Sequence, residues 1–366
     1  MNDFRTLFGR PASVVKTAPG RVNLIGEHTD YNGGYVLPTA IPQRTKVELA
    51  PRSDRTVRVW SDLPHAAPEP LVYELGNERP RQHWLDYVQG STRLLANNGL
   101  LTQGFDARIS SAVPLGSGLS SSAALSVSLL RALREAFALP LDDVQIARLG
   151  QRSENEFVGA QVGIMDPMAA SLADEGTALF LDARSLAFER VALPMGADLV
   201  VINSGVAHNH AAGDYNTRRA ECERACSLLG VKQLRDMTVA ELSRLEALPE
   251  PLRQRARHVI TENDRVLQAV AAIRAGDLAQ LGDLFYASHR SMRDDYEVSI
   301  PEIDLLIELA QADGRAFGAR LTGGGFGGSV VMLAHAGTGR LFAPALAAEY
   351  ARRSGRQPRV LVPLVI

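Results

Sequence analysis

The sequence predicts a two-lobed α+β fold. With 366 residues, of which 46% are apolar, the chain is long enough for two compact lobes with buried cores. Predicted strands and helices are mixed in the first part of the chain, whereas a long helical region occupies much of the second part. Because single helices do not separate the strands regularly, a doubly wound parallel sheet is disfavoured. We expect one lobe to span residues 1–190 and the other to span residues 191–366.

The elements of the first half follow from the periodicity of the apolar residues. Segments that alternate or are rich in β-branched residues indicate strands, and apolar residues repeated at helical spacing indicate helices. The helix that begins at Trp84 is expected to end before Gly99, since glycine readily adopts the left-handed conformation of a helix stop. The predicted strands are 13–17, 46–50, 56–60 and 104–112, and the predicted helices are 84–96, 120–137 and 142–157.

The second half of the chain has a different pattern, in which two strands precede the long helical region. A mixed end follows, with a strand pair around a glycine turn and then a last helix and strand. Pro301 suits the first turn of a helix, where its missing N–H costs no hydrogen bond. The predicted strands are 177–181, 199–203, 316–321, 329–333 and 360–365, and the predicted helices are 214–229, 239–248, 252–275, 278–290, 301–312 and 342–352.

Composition argues against several classes of function. The 39 basic and 41 acidic residues are dispersed and give a net charge of −2, whereas nucleic-acid binding needs a clustered positive face. The sequence has no apolar run of about 18 or more residues and no signal-peptide pattern at its N-terminus. Cys222 and Cys226 have no companion cysteine or histidine cluster, so neither a disulfide framework nor a zinc site is indicated. We expect a cytoplasmic protein that acts as a monomer and binds no nucleic acid and no membrane.

Residues 113–124, with the sequence VPLGSGLSSSAA, form the most informative loop, between a predicted strand and a long helix. Gly116 and Gly118 allow close approach of the backbone, and the free N–H groups at the helix start attract an anion. The loop is not a Walker A motif, and Ser121 occupies the third glycine position of a dinucleotide fingerprint. A tight turn with a serine N-cap is the structural alternative. Three consecutive serines exceed that need, so we interpret the segment as an anion-binding loop.

A second glycine-rich loop lies at residues 321–329, with the sequence LTGGGFGGS. It contains a formal G-x-G-x-x-G match at Gly323, Gly325 and Gly328, but only 38 residues follow, too few to build a dinucleotide domain. Residues without a Cβ atom admit a phosphate or a substrate close to the backbone. We interpret the loop as a backbone clamp, with a flexible hairpin as the structural alternative.

The third stretch, residues 18–34, has too many polar groups for a simple core segment. Arg21, Glu27, His28 and Asp30 lie close to glycine turns within it. Carboxylates and an imidazole are suited to hydrogen bonds with a polyhydroxylated ligand. Each residue alone would be interpreted as a surface charge or an N-cap, but their density favours a binding site.

These three stretches, in this order, resemble the three motifs of the GHMP small-molecule kinases. Residues 20–32, GRVNLIGEHTDYN, resemble the specific signature of the galactokinase family, and the resemblance spans nearly the whole chain. It implies a two-lobed GHMP kinase fold, with mixed and antiparallel sheets covered by helices and an active site between the lobes. It also implies ATP-dependent phosphorylation of galactose at the anomeric C1 hydroxyl, giving galactose 1-phosphate and ADP.

The resemblance assigns the catalytic and metal-binding residues. Asp166, in the segment Gly-Ile-Met-Asp, matches the family aspartate that contacts the anomeric hydroxyl and serves as its general base. Arg21 matches the family arginine near this aspartate and the transferring phosphate, where a fixed cation offsets developing charge. Without the resemblance, an aspartate before proline would be interpreted as a helix N-cap. Ser122 and Glu154 match the hydroxyl and carboxylate that hold Mg²⁺, which prefers hard oxygen ligands.

The binding residues are likewise implied by the resemblance. Trp84 stands where the family has an adenine-pocket tryptophan, and core packing is its structural alternative. The implied sugar-binding residues are Glu27, His28, Thr29, Asp30, Gly163 and Tyr215. The implied ATP-binding residues are Ser61, Trp84, Gly116, Ser117, Gly118, Leu119, Ser120, Ser121 and Ser122.

Two departures from the family pattern bear on the identity of the sugar. Val162 and Pro167 stand where family members commonly have cysteine and glutamine, and Pro167 removes a backbone donor. The first alternative is therefore a kinase for another C1 hydroxyl, such as that of N-acetylgalactosamine, arabinose or a uronic acid. A non-catalytic galactose sensor is a second alternative, disfavoured by the uninterrupted serine motif and by Asp166. A nucleotide-dependent oxidoreductase, suggested only by the late glycine motif, is the least favoured.

Overall fold

The computed structural model describes residues 3–63, 67–206 and 211–365. The chain divides into two compact units, each made of several segments. The first unit comprises Met1–Arg21, Ile41–Pro114 and Ser120–Leu172. The second unit comprises Val22–Ala40, Leu115–Leu119 and Ala173–Ile366. The lobe boundary after residue 190 stays a prediction.

Strands and α-helices are numbered in chain order. The strands are β1 (Val14–Asn23), β2 (Tyr35–Val36), β3 (Pro38–Pro51), β4 (Thr56–Ser61), β5 (Leu71–Glu74), β6 (Phe105–Ser111), β7 (Thr177–Asp182), β8 (Phe188–Ala192), β9 (Ala197–Asn203), β10 (Ala316–Thr322), β11 (Ser329–His335) and β12 (Arg359–Val365). The α-helices are α1 (Phe4–Phe8), α2 (Leu85–Asn97), α3 (Ser121–Ala136), α4 (Asp143–Ser153), α5 (Met165–Leu172), α6 (Ala211–Leu229), α7 (Leu252–Ala275), α8 (Leu278–Asp294), α9 (Pro301–Asp313) and α10 (Gly339–Ser354).

Shorter helical segments correct two predictions. The predicted α-helix at 239–248 is a 3₁₀-helix, Val239–Ala247, which begins with a capping box between Thr238 and Glu241. The predicted helix at 142–157 ends as an α-helix at Ser153 and continues as the π-helix Glu154–Val158. Periodicity did not reveal either change, because a short stretch of 3₁₀ or π geometry hardly alters apolar spacing.

The first unit contains a mixed sheet covered by helices. Strand β6 pairs antiparallel with β3 and parallel with β4, and β4 pairs antiparallel with β5. Apolar side chains of these strands and of helices α2, α3 and α4 form one buried cluster, which includes Val47, Ile109 and Leu129. Burial of this shared apolar surface holds the helices on the sheet.

The second unit contains an antiparallel sheet in the order β10-β11-β9-β12. Strands β10 and β11 are joined by the glycine-rich turn, with Thr322 opposite Ser329 at its base. The predicted strand pair around a glycine turn is therefore confirmed. Helices α6 to α10 share a buried apolar cluster with this sheet. Mixed and antiparallel sheets covered by helices confirm the predicted fold class. Separately, no helix in the described ranges has the length and apolarity needed to span a membrane.

Candidate active site

Asp166 and Arg21 form a two-pronged ion pair in the first unit. Arg21 Nε donates to Asp166 Oδ1 at 2.7 Å and Nη2 donates to Oδ2 at 2.8 Å. Arg21 lies on β1 and is almost fully buried, whereas the Asp166 side chain in the first turn of α5 remains 31% exposed. Paired hydrogen bonds of this kind fix the carboxylate in one orientation. The carboxylate is thus oriented by the protein and still open to solvent.

Ser120 completes this group. Its backbone has φ 60° and ψ 48°, a left-handed conformation that is uncommon outside glycine. The Ser120 hydroxyl donates a hydrogen bond to Asp166 Oδ2. The resemblance assigned Ser120 to the phosphate loop, and its bond to Asp166 is a contact that sequence reasoning missed. Nothing in the serine run distinguishes this hydroxyl from its neighbours.

Glu154 is a buried carboxylate at the start of the π-helix, a geometry that often marks functional sites. Burial raises the pKa of Glu154 to about 7, the nearby Asp166 carboxylate adds to this rise, and a hydrogen bond from Ser122 opposes it. Two carboxylates close together resist simultaneous ionisation. A cation bound beside Glu154 would relieve this resistance.

Magnesium fits the donors at this position. Ser122 and Glu154 supply one hydroxyl and one carboxylate oxygen, which are hard ligands of the type that Mg²⁺ prefers. In the part of the chain that the structure describes, no group of three or more His, Cys, Asp or Glu residues could hold an ion. Magnesium commonly completes its coordination with water and substrate phosphates, so a closed protein cage is not required.

Residues 115–119 of the anion-binding loop lie against the glycine-rich turn within the second unit. Ser329 Oγ donates to the Ser117 carbonyl at 2.7 Å. Gly323 has φ +89°, and a Cβ atom there would lie 3.0 Å from the Gly118 carbonyl oxygen. Glycine is therefore required at 323 both by the left-handed backbone and by the close approach. Beyond Leu119, the chain enters α3, whose first turn carries Ser121 and Ser122.

Glu27 anchors the glycine-rich turn to the polar segment 18–34. Its buried carboxylate accepts a hydrogen bond from the Gly323 N–H at 2.5 Å and another from Asn23 Nδ2. Arg320 Nη1 lies 3.7 Å from Glu27 and donates to the carbonyls of Asn23 and Leu24 at 3.1 Å. Much of the hydrogen-bonding capacity of Glu27 is thus used within the protein. Its predicted role in sugar binding stays a prediction.

Glu262 on α7 is a functional-region residue that sequence reasoning missed. It is fully buried and accepts from the Gly26 N–H at 2.9 Å, from Ser288 Oγ at 2.6 Å and from Arg265 Nε at 2.6 Å. Burial alone would raise the pKa of Glu262, but Arg265, His258 and Arg320 outweigh it and lower the pKa to about 2. On a long helix, such a glutamate is indistinguishable by sequence from a solvated charge.

His28 and Tyr215, both predicted to bind the sugar, lie close together in the second unit, and their sugar contacts stay predictions. Their ring centroids are 5.4 Å apart, and Tyr31 lies 5.2 Å from Tyr215. His28 has φ 61°, and its Nδ1 lies 2.9 Å from the Tyr31 hydroxyl. Burial lowers the pKa of His28 to about 3, so the imidazole is neutral. A neutral histidine beside tyrosine rings is suited to an uncharged polar ligand.

The other predicted sugar residues have mixed surroundings. Thr29 is buried, and its hydroxyl hydrogen bonds to the carbonyls of Gly26 and Tyr35, which is a turn-stabilising contact. Asp30 begins a 3₁₀ turn and accepts from the N–H of the following residue at 2.9 Å. Gly163 is buried in the first unit, shortly before α5. Direct sugar contact by these three residues stays a prediction.

Trp84 and Ser61 lie in the first unit. Trp84 immediately precedes α2 and packs, partly buried, against the apolar cluster of that unit. Its indole Nε1 is buried and has no hydrogen-bond partner among the described residues. Ser61 ends β4 and accepts from the Leu63 N–H at 3.3 Å. Core packing therefore explains the partial burial of the Trp84 ring. The adenine-binding roles of Trp84 and Ser61 stay predictions.

Comparison with known proteins identifies the family. Residues 2–51 match the galactokinase galactose-binding signature, residues 86–174 match the GHMP kinases N-terminal domain and residues 269–352 match the GHMP kinases C-terminal domain. The chain is 43% identical to the galactokinase of Chloroflexus aurantiacus over 98% of this chain and 93% of that protein. It belongs to the galactokinase family. The galactokinase of Mannheimia succiniciproducens is also 43% identical, over 96% of this chain and 93% of its own length.

Solved structures agree with the galactokinase family. The structure of Lactococcus lactis galactokinase complexed with galactose matches with a TM-score of 0.93 at 33% identity, covering 99% of this chain and 96% of that one. A mevalonate kinase structure matches with a TM-score of 0.66 at 19% identity, over 95% of this chain and 98% of that one, and therefore shares the fold alone. The GHMP kinase fold predicted from the three loops is confirmed.

Proposed function

We propose that this member of the galactokinase family transfers the γ-phosphate of ATP to the C1 hydroxyl of galactose, giving galactose 1-phosphate and ADP. The observation that carries the proposal is the oriented carboxylate of Asp166, held by Arg21 and Ser120 and still open to solvent. Curated galactokinases at 43% identity and the galactose complex of the Lactococcus lactis enzyme support galactose as the acceptor.

Asp166 is the proton acceptor in this reaction. The C1 oxygen forms a bond to the γ-phosphorus while the bond from phosphorus to the leaving oxygen of ADP breaks, and the C1 proton passes to the Asp166 carboxylate. A carboxylate of ordinary basicity suffices, because in the loose transition state of phosphoryl transfer the hydroxyl need not lose its proton before the bond to phosphorus forms. Arg21 orients Asp166 and supplies a fixed positive charge against the charge that develops on the phosphate.

The ATP phosphates are held by the loop 116–122. Its glycines expose backbone N–H groups, and the start of α3 adds the positive end of a helix dipole. Ser61 and Trp84 are assigned to the adenine base. The indole N–H without a protein partner among the described residues and the aromatic face of Trp84 are both suited to a purine.

Mg²⁺ is the implied metal, and Ser122 and Glu154 would hold it. When bound, the ion would neutralise phosphate charge during transfer. Glu154 suits this role because it is buried next to a second carboxylate, Asp166, and its raised pKa reflects a lack of positive charge. The protein residues themselves orient Asp166 through Arg21 and Ser120 and bury Glu154.

Galactose is favoured over the other sugars. The whole set Glu27, His28, Asp30 and Tyr215 is retained, and Thr29 and Gly163 complete the proposed sugar contacts. Pro167, one of the two departures, is buried in the first turn of α5, where proline interrupts no helical hydrogen bond. Pro167 Cβ packs toward Gly150 of α4, 3.9 Å from the position that a Cβ atom would occupy at that glycine. Packing between α4 and α5 therefore accommodates the proline.

A panel of sugars incubated with ATP, with ADP release as the readout, tests the proposal. Galactose should give the highest kcat/KM among galactose, N-acetylgalactosamine, arabinose and a uronic acid. A value more than about tenfold higher for another sugar, equivalent to about 1.4 kcal/mol, would replace galactose but keep the kinase assignment. ADP release with none of the sugars would instead support the non-catalytic sensor.

Three further assignments are proposals as well. We propose a monomer in the cytoplasm, on the basis of its ordinary composition and near-neutral charge, to be tested by light scattering after gel filtration and by cell fractionation. We also propose the lobe boundary near residue 190, because the sugar motif and the phosphate-binding loop precede it and the glycine-rich motif follows it. Limited proteolysis should then cut first near that boundary.

A further inference from the structure

The predicted sugar residue His28 and three polar side chains behind it in the second unit form a continuous hydrogen-bonded chain. His28 Nδ1 lies 2.9 Å from the Tyr31 hydroxyl, which lies 2.7 Å from the Tyr296 hydroxyl. The Tyr296 hydroxyl lies 3.1 Å from Cys222 Sγ on α6. We call His28, Tyr31, Tyr296 and Cys222 the tyrosine relay. Tyr296 and Cys222 are almost completely buried, so water has little access to this end of the relay.

The protonation states limit how the relay can be arranged. Burial raises the pKa of Tyr31 and of Tyr296 well above the ordinary tyrosine value and raises that of Cys222 to about 12. Burial also lowers the pKa of His28 to about 3. At neutral pH, each hydroxyl and the thiol therefore has one proton to donate, and the imidazole is neutral. Each phenol can donate to only one neighbour, so the three hydrogen bonds run in the same direction when both phenols donate within the relay and no hydroxyl proton is left unpaired.

Donor and acceptor strengths decide that direction. A phenol O–H is a stronger acid than a neutral imidazole N–H, and an imidazole nitrogen is a stronger base than a phenol oxygen. The bond from the Tyr31 hydroxyl to His28 Nδ1 is therefore favoured over the reverse. Tyr296 then donates to Tyr31, and the Cys222 thiol donates to Tyr296. This arrangement leaves the proton of His28 on Nε2.

We propose that Tyr31 and Tyr296 are positioning residues for sugar recognition, which hold His28 as the neutral Nε2–H tautomer and aim its N–H as a donor to a sugar oxygen. Nε2 is buried and makes no hydrogen bond of normal geometry to the described residues, although a longer backbone contact with Gly324 acts on the imidazole and raises its pKa slightly against the effect of burial. A buried N–H with only such a poorly placed partner is costly, and a sugar oxygen would satisfy it better. The role in sugar recognition rests on the proposed function, whereas the tautomer does not.

Nitrogen-15 NMR of the full-length protein with labelled histidine tests the tautomer directly. The chain has 8 histidines, and the His28 signals are assigned by their loss in His28→Gln. We expect a bare Nδ1 and a protonated Nε2 in the unsubstituted protein, and a mixture of tautomers in Tyr31→Phe. A protonated Nδ1 in the unsubstituted protein would overturn the proposal, as would His28 signals that do not respond to Tyr31→Phe.

Steady-state kinetics tests the positioning role. Loss of one link should raise the KM for galactose about three- to tenfold in Tyr31→Phe and in Tyr296→Phe, the typical effect of one neutral hydrogen bond, with the KM for ATP unchanged. The matched control is Tyr286→Phe on α8, because the Tyr286 hydroxyl has no partner among the described residues.

The outcomes separate the relay from the proposed function. If Tyr296→Phe changes the galactose KM no more than Tyr286→Phe does, the positioning role is wrong. Circular dichroism and thermal melts of each variant identify a general loss of folding, which would raise both KM values or lower the active fraction rather than change the galactose KM alone. If the unsubstituted protein does not turn over galactose but has the Nε2–H tautomer and its dependence on Tyr31, the proposed function fails and the relay stands.

Discussion

Two buried glutamates, one in each unit, have opposite electrostatic environments. Glu154 in the first unit has a pKa raised to about 7, because burial and the Asp166 carboxylate outweigh a hydrogen bond from Ser122. Glu262 in the second unit has a pKa lowered to about 2, because Arg265, His258 and Arg320 outweigh burial. Burial raises the pKa of both glutamates, so the neighbouring charged groups decide whether the net pKa shift is upward or downward.

The difference distinguishes Glu154, a carboxylate suited to bind a cation, from Glu262, a carboxylate that stabilises the fold. Glu262 is satisfied by protein donors, among them the Gly26 N–H of the polar segment, and has no need of an external cation. Glu154 faces another carboxylate and gains from a cation that the protein does not supply. Strong burial without compensating charge therefore distinguishes Glu154, the proposed metal ligand, from Glu262. Four substitutions or conditions test the roles of these carboxylates and of Asp166.

Asp166→Asn should have the largest effect. The amide keeps shape and polarity but can accept no proton, so kcat should fall at least about a hundredfold, within the usual 10²–10⁴ range of general-base catalysis. Galactose affinity, measured by calorimetry, should change much less. The matched control is Asp143→Asn, which removes another aspartate paired with an arginine, Arg134, in the same unit. Loss of galactose binding as the main defect would make Asp166 a recognition residue.

The residues around Glu154 were easier to predict from the sequence than those around Glu262. The motif resemblance named Asp166, Arg21, Ser122 and Glu154, because the family signature lies in short runs of the chain. It could not reveal the proximity of Glu154 and Asp166, which lie on different helical segments and meet only after packing. Burial and charge balance depend on such packing, so no run of residues encodes the raised pKa.

The environment of Glu262 could not be predicted from the sequence. Glu262 and Arg320 look like ordinary surface charges in the sequence, and their contacts reach residues more than 200 positions away, at Gly26 and at Asn23. The glycine-rich turn was predicted, but its packing against Gly118 was not. The strands β2, β5 and β8 were missed because they are short, and runs of two to five residues carry little periodicity.

Glu262→Gln should have the next largest effect, on stability. The substitution removes the carboxylate bonded to Arg265 and one of the two carboxylates near Arg320, and removal of one partner of a buried pair typically costs about 3–5 kcal/mol. Urea unfolding should detect this, and Glu223→Gln, an exposed glutamate on α6, is the control. Because the folded pKa is depressed, the stabilisation is present above the unfolded glutamate pKa and is lost as the pH falls toward about 2. An unchanged free energy of unfolding would contradict the scaffold role.

Glu154→Gln should act mainly on the metal requirement. We expect the Mg²⁺ concentration for half-maximal rate to rise at least about tenfold, since loss of even an outer-shell partner commonly costs that much. The control is Glu156→Gln, which lies on the same π-helix but is 53% exposed and paired with Arg152. Equal magnesium curves for the two variants would remove Glu154 from the metal site. Destabilisation as large as that of Glu262→Gln would remove the distinction between the two glutamates.

The smallest effect is the pH dependence of magnesium binding, and it follows from the direction of the Glu154 shift. A carboxyl group with a pKa of about 7 is protonated below that pH, and a proton on Glu154 competes with the metal. Apparent Mg²⁺ affinity should therefore rise about threefold between pH 6.5 and 7.5, as the ionised fraction rises through its midpoint. Magnesium titrations with saturating galactose at both pH values measure this change, and Glu154→Gln, which has no proton to lose there, corrects for titration of the nucleotide. Because Asp166 contributes to the raised pKa, Asp166→Asn should move the pH dependence to lower pH. The same dependence in Glu154→Gln as in the unsubstituted protein would show that Glu154 is not the titrating group.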